Sequence, residues 1–163
     1  MVTFRLAKEK DLENIVNTYN ASIPSRMATA DLEPVSVESK QSWFREHRAD
    51  KRPVWIVLYN KQYAGWMSFS SFYGRPAYDA STELSLYLER KFQGMGIGKI
   101  CVRYALEQAP RFGINNVMGF IFAHNEASLR LFYSFGFERW ALLPDVAELD
   151  GIKRDLVIVG KKI

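Results

Sequence analysis

Gln93-Gly94-Met95-Gly96-Ile97-Gly98-Lys99 places three glycines at alternate positions between a strand-like run and an amphipathic one. Side chains are missing where a ligand would meet backbone. Successive N–H groups at the start of a helix form an anion site. Two phosphate-binding patterns fail on this stretch. Walker A needs four residues before its Gly-Lys pair, but only three separate Gly94 from Gly98-Lys99, and Ile100 stands in place of Ser or Thr. The dinucleotide pattern G-x-G-x-x-G fails at Lys99, where its third glycine belongs. What remains is Q-x-x-G-x-G, read on Gln93, Gly96 and Gly98. Taken alone, it also reads as a tight strand-to-helix turn that binds nothing.

Working outward, Thr82–Leu88 alternates as a strand, with Leu84, Leu86 and Leu88 on one face and Glu83, Ser85 and Tyr87 on the other. Downstream, Ile97, Ile100, Cys101, Tyr104 and Ala105 form the apolar stripe of a helix that runs to about Ala109 and is ended by Pro110 and Gly113. Val117–Phe122 reads as a buried strand. A short helix from Asn125 or Glu126 to Phe135 follows, stopped by Gly136. Residues 137–149 and 154–160 read as strands joined at Asp150-Gly151, a hairpin dipeptide. Towards the N-terminus, Val54–Tyr59 and Tyr63–Ser70 form a hairpin around Asn60-Lys61. Phe72–Ser81 is a loop and residues 22–35 are irregular. Ser36 caps a helix to about His47 with Trp43 and Phe44 inward. Asp11–Ala21 is a helix, with Leu12, Ile15, Val16 and Tyr19 on one face, and Val2–Leu6 is a strand. The order β-α-α-β-β-β-α-β-α-β-β predicts an α/β protein, its mixed sheet flanked by helices. Short connections and the absence of a composition break predict a single domain over 1–163.

Composition excludes several classes. The 163 residues carry 22 Lys+Arg and 18 Asp+Glu, a formal charge of +4, with no run of four basic residues, so nucleic acid is not the expected partner. Two histidines and one cysteine are too few for a Cys/His zinc site, and no metal is expected. Cys101 has no disulfide partner within the chain, which favours a reducing compartment, and its place on the helix stripe makes it a core residue. The opening Met1-Val2-Thr3-Phe4-Arg5 shows no apolar signal region. No stretch approaches the ~20 apolar residues that span a bilayer. A soluble cytoplasmic protein with no membrane partner is expected.

A second motif lies about 30 residues beyond the glycines: Asn125, Ser128, Leu131, Gly136 and Phe137. Together the two segments resemble the GNAT N-acetyltransferase superfamily, whose glycine loop grips the pyrophosphate of coenzyme A and whose second motif reads N-x-x-A/S-x-x-L-Y-x-x-x-G-F. Tyr19-Asn20, Asp31-Leu32-Glu33-Pro34 and Glu83 through Gly98 look like the phosphinothricin N-acetyltransferase group within it. The loop Ser71–Tyr78 and the strand Met118–Phe122 look like bacterial members of that group.

The resemblance implies a GNAT fold around a central, mostly antiparallel sheet. It also implies acetyl-CoA as co-substrate, a homodimer, and acetyl transfer to a small amino-acid-like amine of the phosphinothricin or methionine sulfoximine class. The ammonium must lose a proton before its nitrogen can attack the thioester, and the developing oxyanion needs a donor. Glu83 is the candidate general base. It is a carboxylate on a central strand, ten residues before Gln93, as in the resembled group. A reference pKa of about 4.3 is low for that task, so burial or a relay through water is required. By resemblance, Leu86, Tyr87 and Leu88 pair their backbone with the pantetheine arm. Gly94, Met95, Gly96, Ile97, Gly98 and Lys99 hold the pyrophosphate, with Lys91 and Arg103 nearby. Asn125 and Ser128 complete the cofactor set, although Asn125 also reads as a helix N-cap and Ser128 as a small packing residue.

Many members have tyrosine seven residues after the asparagine, where it protonates the thiolate. Here Phe132 stands there and Tyr133 follows, turned by about 100° on a helix, so that role does not transfer. Phe132 is expected to shape the acceptor pocket. Arg75 is either a ligand for the acceptor's carboxylate or phosphinate, or an ordinary loop arginine. His47 and His124 have no partners at catalytic spacing. Two alternatives stay open. One is a peptide or protein N-acetyltransferase with an open trough, against which Trp43, Phe72, Tyr73, Tyr78 and Trp140 would narrow the site. The other is a non-catalytic acyl-CoA-binding or nucleic-acid-binding module.

Overall fold

Seven strands form one sheet in the computed structural model, which describes residues 1–163. They are β1 (Val2–Leu6), β2 (Val54–Tyr59), β3 (Gln62–Ser71), β4 (Ser81–Leu88), β5 (Asn116–Phe122), β6 (Glu138–Leu149) and β7 (Ile152–Lys162). The spatial order is β1-β2-β3-β4-β5-β7-β6, and only β4 and β5 run parallel. Four α-helices flank the sheet: α1 (Leu12–Ser22), α2 (Gln41–Glu46), α3 (Ile97–Gln108) and α4 (Glu126–Tyr133). The mixed α/β sheet read from the element order is what the chain forms.

Alternation along the central strands assigns their two faces. Trp55, Val57, Met67, Phe69 and Leu84 pack under α3 with Cys101, Val102 and Ala105. Val54, Ile56 and Trp66 face the other way, onto Ile15 of α1 with Tyr19, Trp43 and Tyr87 around them. Asn60-Lys61 and Asp150-Gly151 adopt positive φ at all four residues, which the two-residue hairpins require.

Three local expectations change. The α3 stripe includes Val102, fully buried, and leaves Ile100 exposed, because Gly98 lets Leu131 of α4 come close and turns the buried side towards it. The Ser36 hydroxyl accepts from Ser39 N at 3.1 Å, but it opens a 3₁₀ turn (Glu38–Lys40), so the α-helix starts only at Gln41. Helix α4 stops at Tyr133, two residues short of the expected end.

The Cys101 thiol is fully buried, and burial pushes its pKa up to about 12. A thiol-specific reagent at pH 8 is therefore expected to label no cysteine in the native protein and one on denaturation. Fast native labelling would place Cys101 outside the core.

Candidate active site

Strands β4 and β5 pair over only three positions, Ser81↔Asn116, Thr82↔Val117 and Glu83↔Met118. Beyond Glu83 they part, β4 staying with β3 down to Leu88 and β5 with β7 to Phe122. The β5-facing edge of β4 is thus left without a strand partner from Leu84 onwards, and its N–H and C=O groups need other partners. A cleft fills the gap. Its walls are Glu83 through Tyr87 on one side and Gly119–Ile121 on the other, with Asn125, Ser128, Leu131 and Phe132 from α4 and its entry. Met27 and Ala28 cover it. Gly119 has a reason in this wall: a Cβ there would lie 3.1 Å from the Phe132 ring.

The glycine loop stands at the end of β4. Gln93 Nε2 donates to Leu88 O at 3.1 Å, which ties the loop to the strand and accounts for the glutamine of the motif. Gly94 and Gly96 hold φ of +74° and +79°, and space within 4 Å of where their Cβ would sit is open. Gly96 caps α3, so the first N–H groups of a twelve-residue helix have no side-chain cap. Gly98 serves packing instead: a Cβ would press on Leu131 at 3.2 Å. Arg90, Lys91, Met95 and Lys99 are exposed around the loop. A groove lined by Ser22, Ser25, Leu88, Arg90, Gln93 and Asn125 joins loop to cleft. Open backbone donors at a helix N-terminus beside surface cations suit a pyrophosphate, and an unpaired strand edge suits an amide-bearing arm. These residues fit coenzyme A.

Glu83 lines this cleft, which shares Ser85 and Tyr87 with a second cavity of about 160 Å³. That cavity is walled by Ile15, Val16, Tyr19, Val35, Trp43, Trp66 and Tyr87, with Lys40 at its side and Ser68, Ser70 and Ser85 on its floor. The cross-strand pairs Trp66↔Tyr87, Ser68↔Ser85 and Ser70↔Glu83 put the floor and the carboxylate on one face. Burial raises the Glu83 pKa above the usual carboxylate range, and no cation pairs with it to offset this. Ser68 Oγ is buried without a hydrogen-bond partner, a donor held ready in the floor.

The segment over the cleft is tied down from three elements. Tyr87 Oη donates to Ala28 O at 3.2 Å, Asn125 Nδ2 to Met27 O at 3.2 Å, and His124 Nε2 lies 2.8 Å from Arg26 O. Tyr19 Oη bonds Asp31 and Thr29 in the same segment. Tyr87 also stacks on Trp66 at 4.9 Å, so its ring fills the sheet face and divides the two cavities. Asn125 caps α4 as expected, its Oδ1 accepting from Ser128 N at 3.2 Å.

Among the sequence candidates, Glu83, Leu86, Tyr87, Asn125, Ser128 and Phe132 meet in the cleft, and Leu88 lines the groove with Gln93. Phe132 sits in the cleft wall, buried edge-on against Phe137, and is not among the residues lining the second cavity. Tyr133 is exposed and lines neither. Arg75 is exposed in the loop after β3 and also lines neither cavity. Of the five aromatics expected to narrow the site, only Trp43 lines the cavity. Phe72, Tyr73 and Tyr78 pack on one another, Phe72 edge-on to both tyrosines, and Trp140 lies over Gly160 at the far edge of the sheet. Sequence reasoning missed Trp66, Lys40, Ser68, Ser70 and His47. Their convergence depends on β3 register and on where α2 docks, and no short spacing encodes either.

Residues 13–137 match the model of the Acetyltransferase (GNAT) family. The chain is 45% identical over 163 residues, 99% of each chain, to a Bacillus subtilis protein named "Putative phosphinothricin acetyltransferase YwnH". It is 26% identical over 158 residues, 97% of this chain and 92% of the other, to the L-methionine sulfoximine/L-methionine sulfone acetyltransferase of Salmonella typhimurium. The solved structure of yncA from Salmonella typhimurium with its cofactor acetyl-CoA superposes with a TM-score of 0.90 at 25% identity, over 99% of this chain and 93% of that one. With the split strands, the open glycine loop and these likenesses together, the chain belongs to the GNAT acetyltransferase family and is an acetyl-CoA-dependent N-acetyltransferase.

Proposed function

We propose that the enzyme acetylates the amine of a small amino-acid-like acceptor, of the phosphinothricin or methionine sulfoximine class, by direct attack in a ternary complex. The observation that carries this reading is the meeting of two cavities at Ser85 and Tyr87, with Glu83 in the cleft and its cross-strand partner Ser70 in the other: the cleft joins the groove that runs to the glycine loop, and the other cavity is small and aromatic-walled. Acetyl-CoA supplies an activated acetyl group on a thiolate leaving group. The glycine loop and the N-terminus of α3 hold its pyrophosphate, and the backbone of Leu86, Tyr87 and Leu88 aligns its arm. Glu83 takes a proton from the attacking nitrogen, a step that its raised pKa favours. A cavity of about 160 Å³ suits one small side chain better than a peptide, which argues against a protein acceptor. The names of the relatives point to the same acceptor class.

Acetyl-CoA consumption is the test, with phosphinothricin, L-methionine sulfoximine, L-methionine sulfone and an unrelated peptide offered in parallel. Turnover of at least one amino-acid analogue and none of the peptide is expected. Acetylation of the peptide alone would overturn the proposal.

The protein is further proposed to act in the cytoplasm and as a pair of identical copies. Trp140, Leu142 and Val146 on edge strand β6, with Ile152 on β7, are exposed apolar side chains at one edge of the sheet, where a second copy would cover them. Light scattering that returns the mass of one chain would remove the dimer.

A further inference from the structure

Conversion of an ammonium to an amide removes two protons from one nitrogen, and Glu83 accounts for one of them. A second acceptor lies behind the floor of the small cavity, bonded to Ser70. His47, just past α2, has Nδ1 at 2.7 Å from Trp43 O and Nε2 at 3.0 Å from Ser70 Oγ. A backbone carbonyl only accepts, so Nδ1 carries the ring proton. In the neutral ring Nε2 then accepts from the Ser70 hydroxyl. Ser70 lines the cavity and is the cross-strand partner of Glu83. Side chains so paired stand about 4.5–5.5 Å apart at Cβ and project from the same face, so one nitrogen above them is within reach of both. Burial holds the His47 pKa below its ordinary value, with the bond to Trp43 and the charge of Glu46 opposing, so the ring is neutral and able to accept at neutral pH. The other charged or titratable groups around the couple are Lys40, Tyr19 and Tyr87, which line the same cavity, and Glu83.

We propose that Ser70 and His47 form the outlet for the first proton of the acetyl transfer. The inference rests on the amine-acetylation reading above. The ammonium N–H proton passes to Ser70 Oγ as the Ser70 proton passes to His47 Nε2, leaving a neutral amine and an imidazolium. Both N–H groups of that imidazolium keep acceptors, Trp43 O and Ser70 Oγ. The amine attacks, its second surplus proton goes to Glu83 and from there to the departing thiolate, and His47 returns its proton to solvent. The balance is RNH₃⁺ + acetyl-CoA → RNH-acetyl + CoA-SH + H⁺. Ser70 touches the acceptor. His47 acts through Ser70 and positions and stores the proton.

The test compares the unaltered protein with His47→Gln, Ser70→Ala and the double variant, using L-methionine sulfone as acceptor. Each single variant is expected to lose about a hundredfold in kcat at pH 7, a size typical of one lost proton-transfer partner. The loss shrinks as pH rises into the range where the free amine is already neutral, and the double variant is no slower than the slower single one. Calorimetric acetyl-CoA affinity is expected to stay unchanged, which shows that the variants are folded. In the free unaltered protein, imidazole ¹⁵N NMR is expected to show the Nδ1–H tautomer of His47. Unchanged kcat, a loss equal at all pH values, additive losses in the double variant, or an Nε2–H tautomer each overturn the relay while leaving the acetyl-transfer reading in place. Failure of the unaltered protein to acetylate any of phosphinothricin, L-methionine sulfoximine and L-methionine sulfone overturns the acceptor reading, and the relay falls with it.

Discussion

Glu83→Gln lowers kcat for amine acetylation by about a hundredfold to a thousandfold, the range expected when a positioned general base is removed, and leaves acetyl-CoA affinity unchanged. The amide keeps the size and most of the packing of the carboxylate, and the glycine loop proposed to hold the cofactor lies at the other end of β4. The loss therefore falls on turnover. The pH profile carries the sign. Only the ionised carboxylate accepts a proton, so kcat of the unaltered enzyme rises with pH through the Glu83 pKa, which burial places above the usual carboxylate range. That limb disappears in the variant. Stability moves the opposite way. A carboxyl whose folded pKa is raised binds its proton more tightly in the folded state, so it destabilises the fold as pH rises past the unfolded value. At neutral pH the glutamine variant is accordingly expected to melt higher than the parent. Lower activity with higher stability marks a residue kept for chemistry; a variant as active as the parent would end the base assignment.

Gly65→Ala is expected to cost about 3 kcal/mol of stability, the upper end of what overpacking a rigid site costs. A Cβ at Gly65 would lie 2.2 Å from Tyr87 O and 2.9 Å from Leu88 Cα, both backbone atoms of β4, so no side chain can swing away to make room. The two strands must part where Gly65 pairs with Leu88. The β2–β3 register shift between Val57 and Leu58 lies beside the same glycine and leaves little slack. Urea denaturation should show a lower midpoint with an unaltered slope. Since the displaced residues are those proposed to align the cofactor arm, acetyl-CoA affinity falls as well. Gly94→Ala is the control. Its Cβ would meet nothing within 4 Å, so only the cost of the left-handed backbone at φ +74° remains, about 1–2 kcal/mol. Equal effects of the two substitutions would remove the close-approach argument.

The parts of the site legible in the sequence are those held within a few residues. Gln93 reaches only to Leu88, Asn125 only to Ser128, and the φ values at Gly94 and Gly96 belong to those residues alone. The shift from Tyr to Phe at 132 is also local, but where Phe132 goes is not: it occupies the cleft wall and does not line the small cavity expected for the acceptor, while Tyr133 is exposed. Arg75 shows the limit of this reasoning. Its chemistry suits an acidic acceptor, yet the turn at Pro76–Tyr78 leaves it exposed. His47 shows the reverse. It has no partner at short spacing, but Ser70, 23 residues away, meets its ring once α2 packs across β3.

The sequence by itself determined the elements and their turns. A continuous β-prone run marks β2 and alternating side chains mark β4, Asn60-Lys61 and Asp150-Gly151 tolerate the positive φ of tight hairpins, and the glycines leave the start of α3 open. These are preferences of a residue and its near neighbours, so they survive in any context that keeps the chain local. The tertiary structure alone decided that β7 enters between β5 and β6, that β4 and β5 stay together for three pairs and then part, and that Ser68, Ser70, Trp43 and Trp66 close one cavity beside Glu83. Those outcomes depend on which strand faces must be buried against which helices. That competition is settled over the whole sheet at once, and no short stretch of chain contains it.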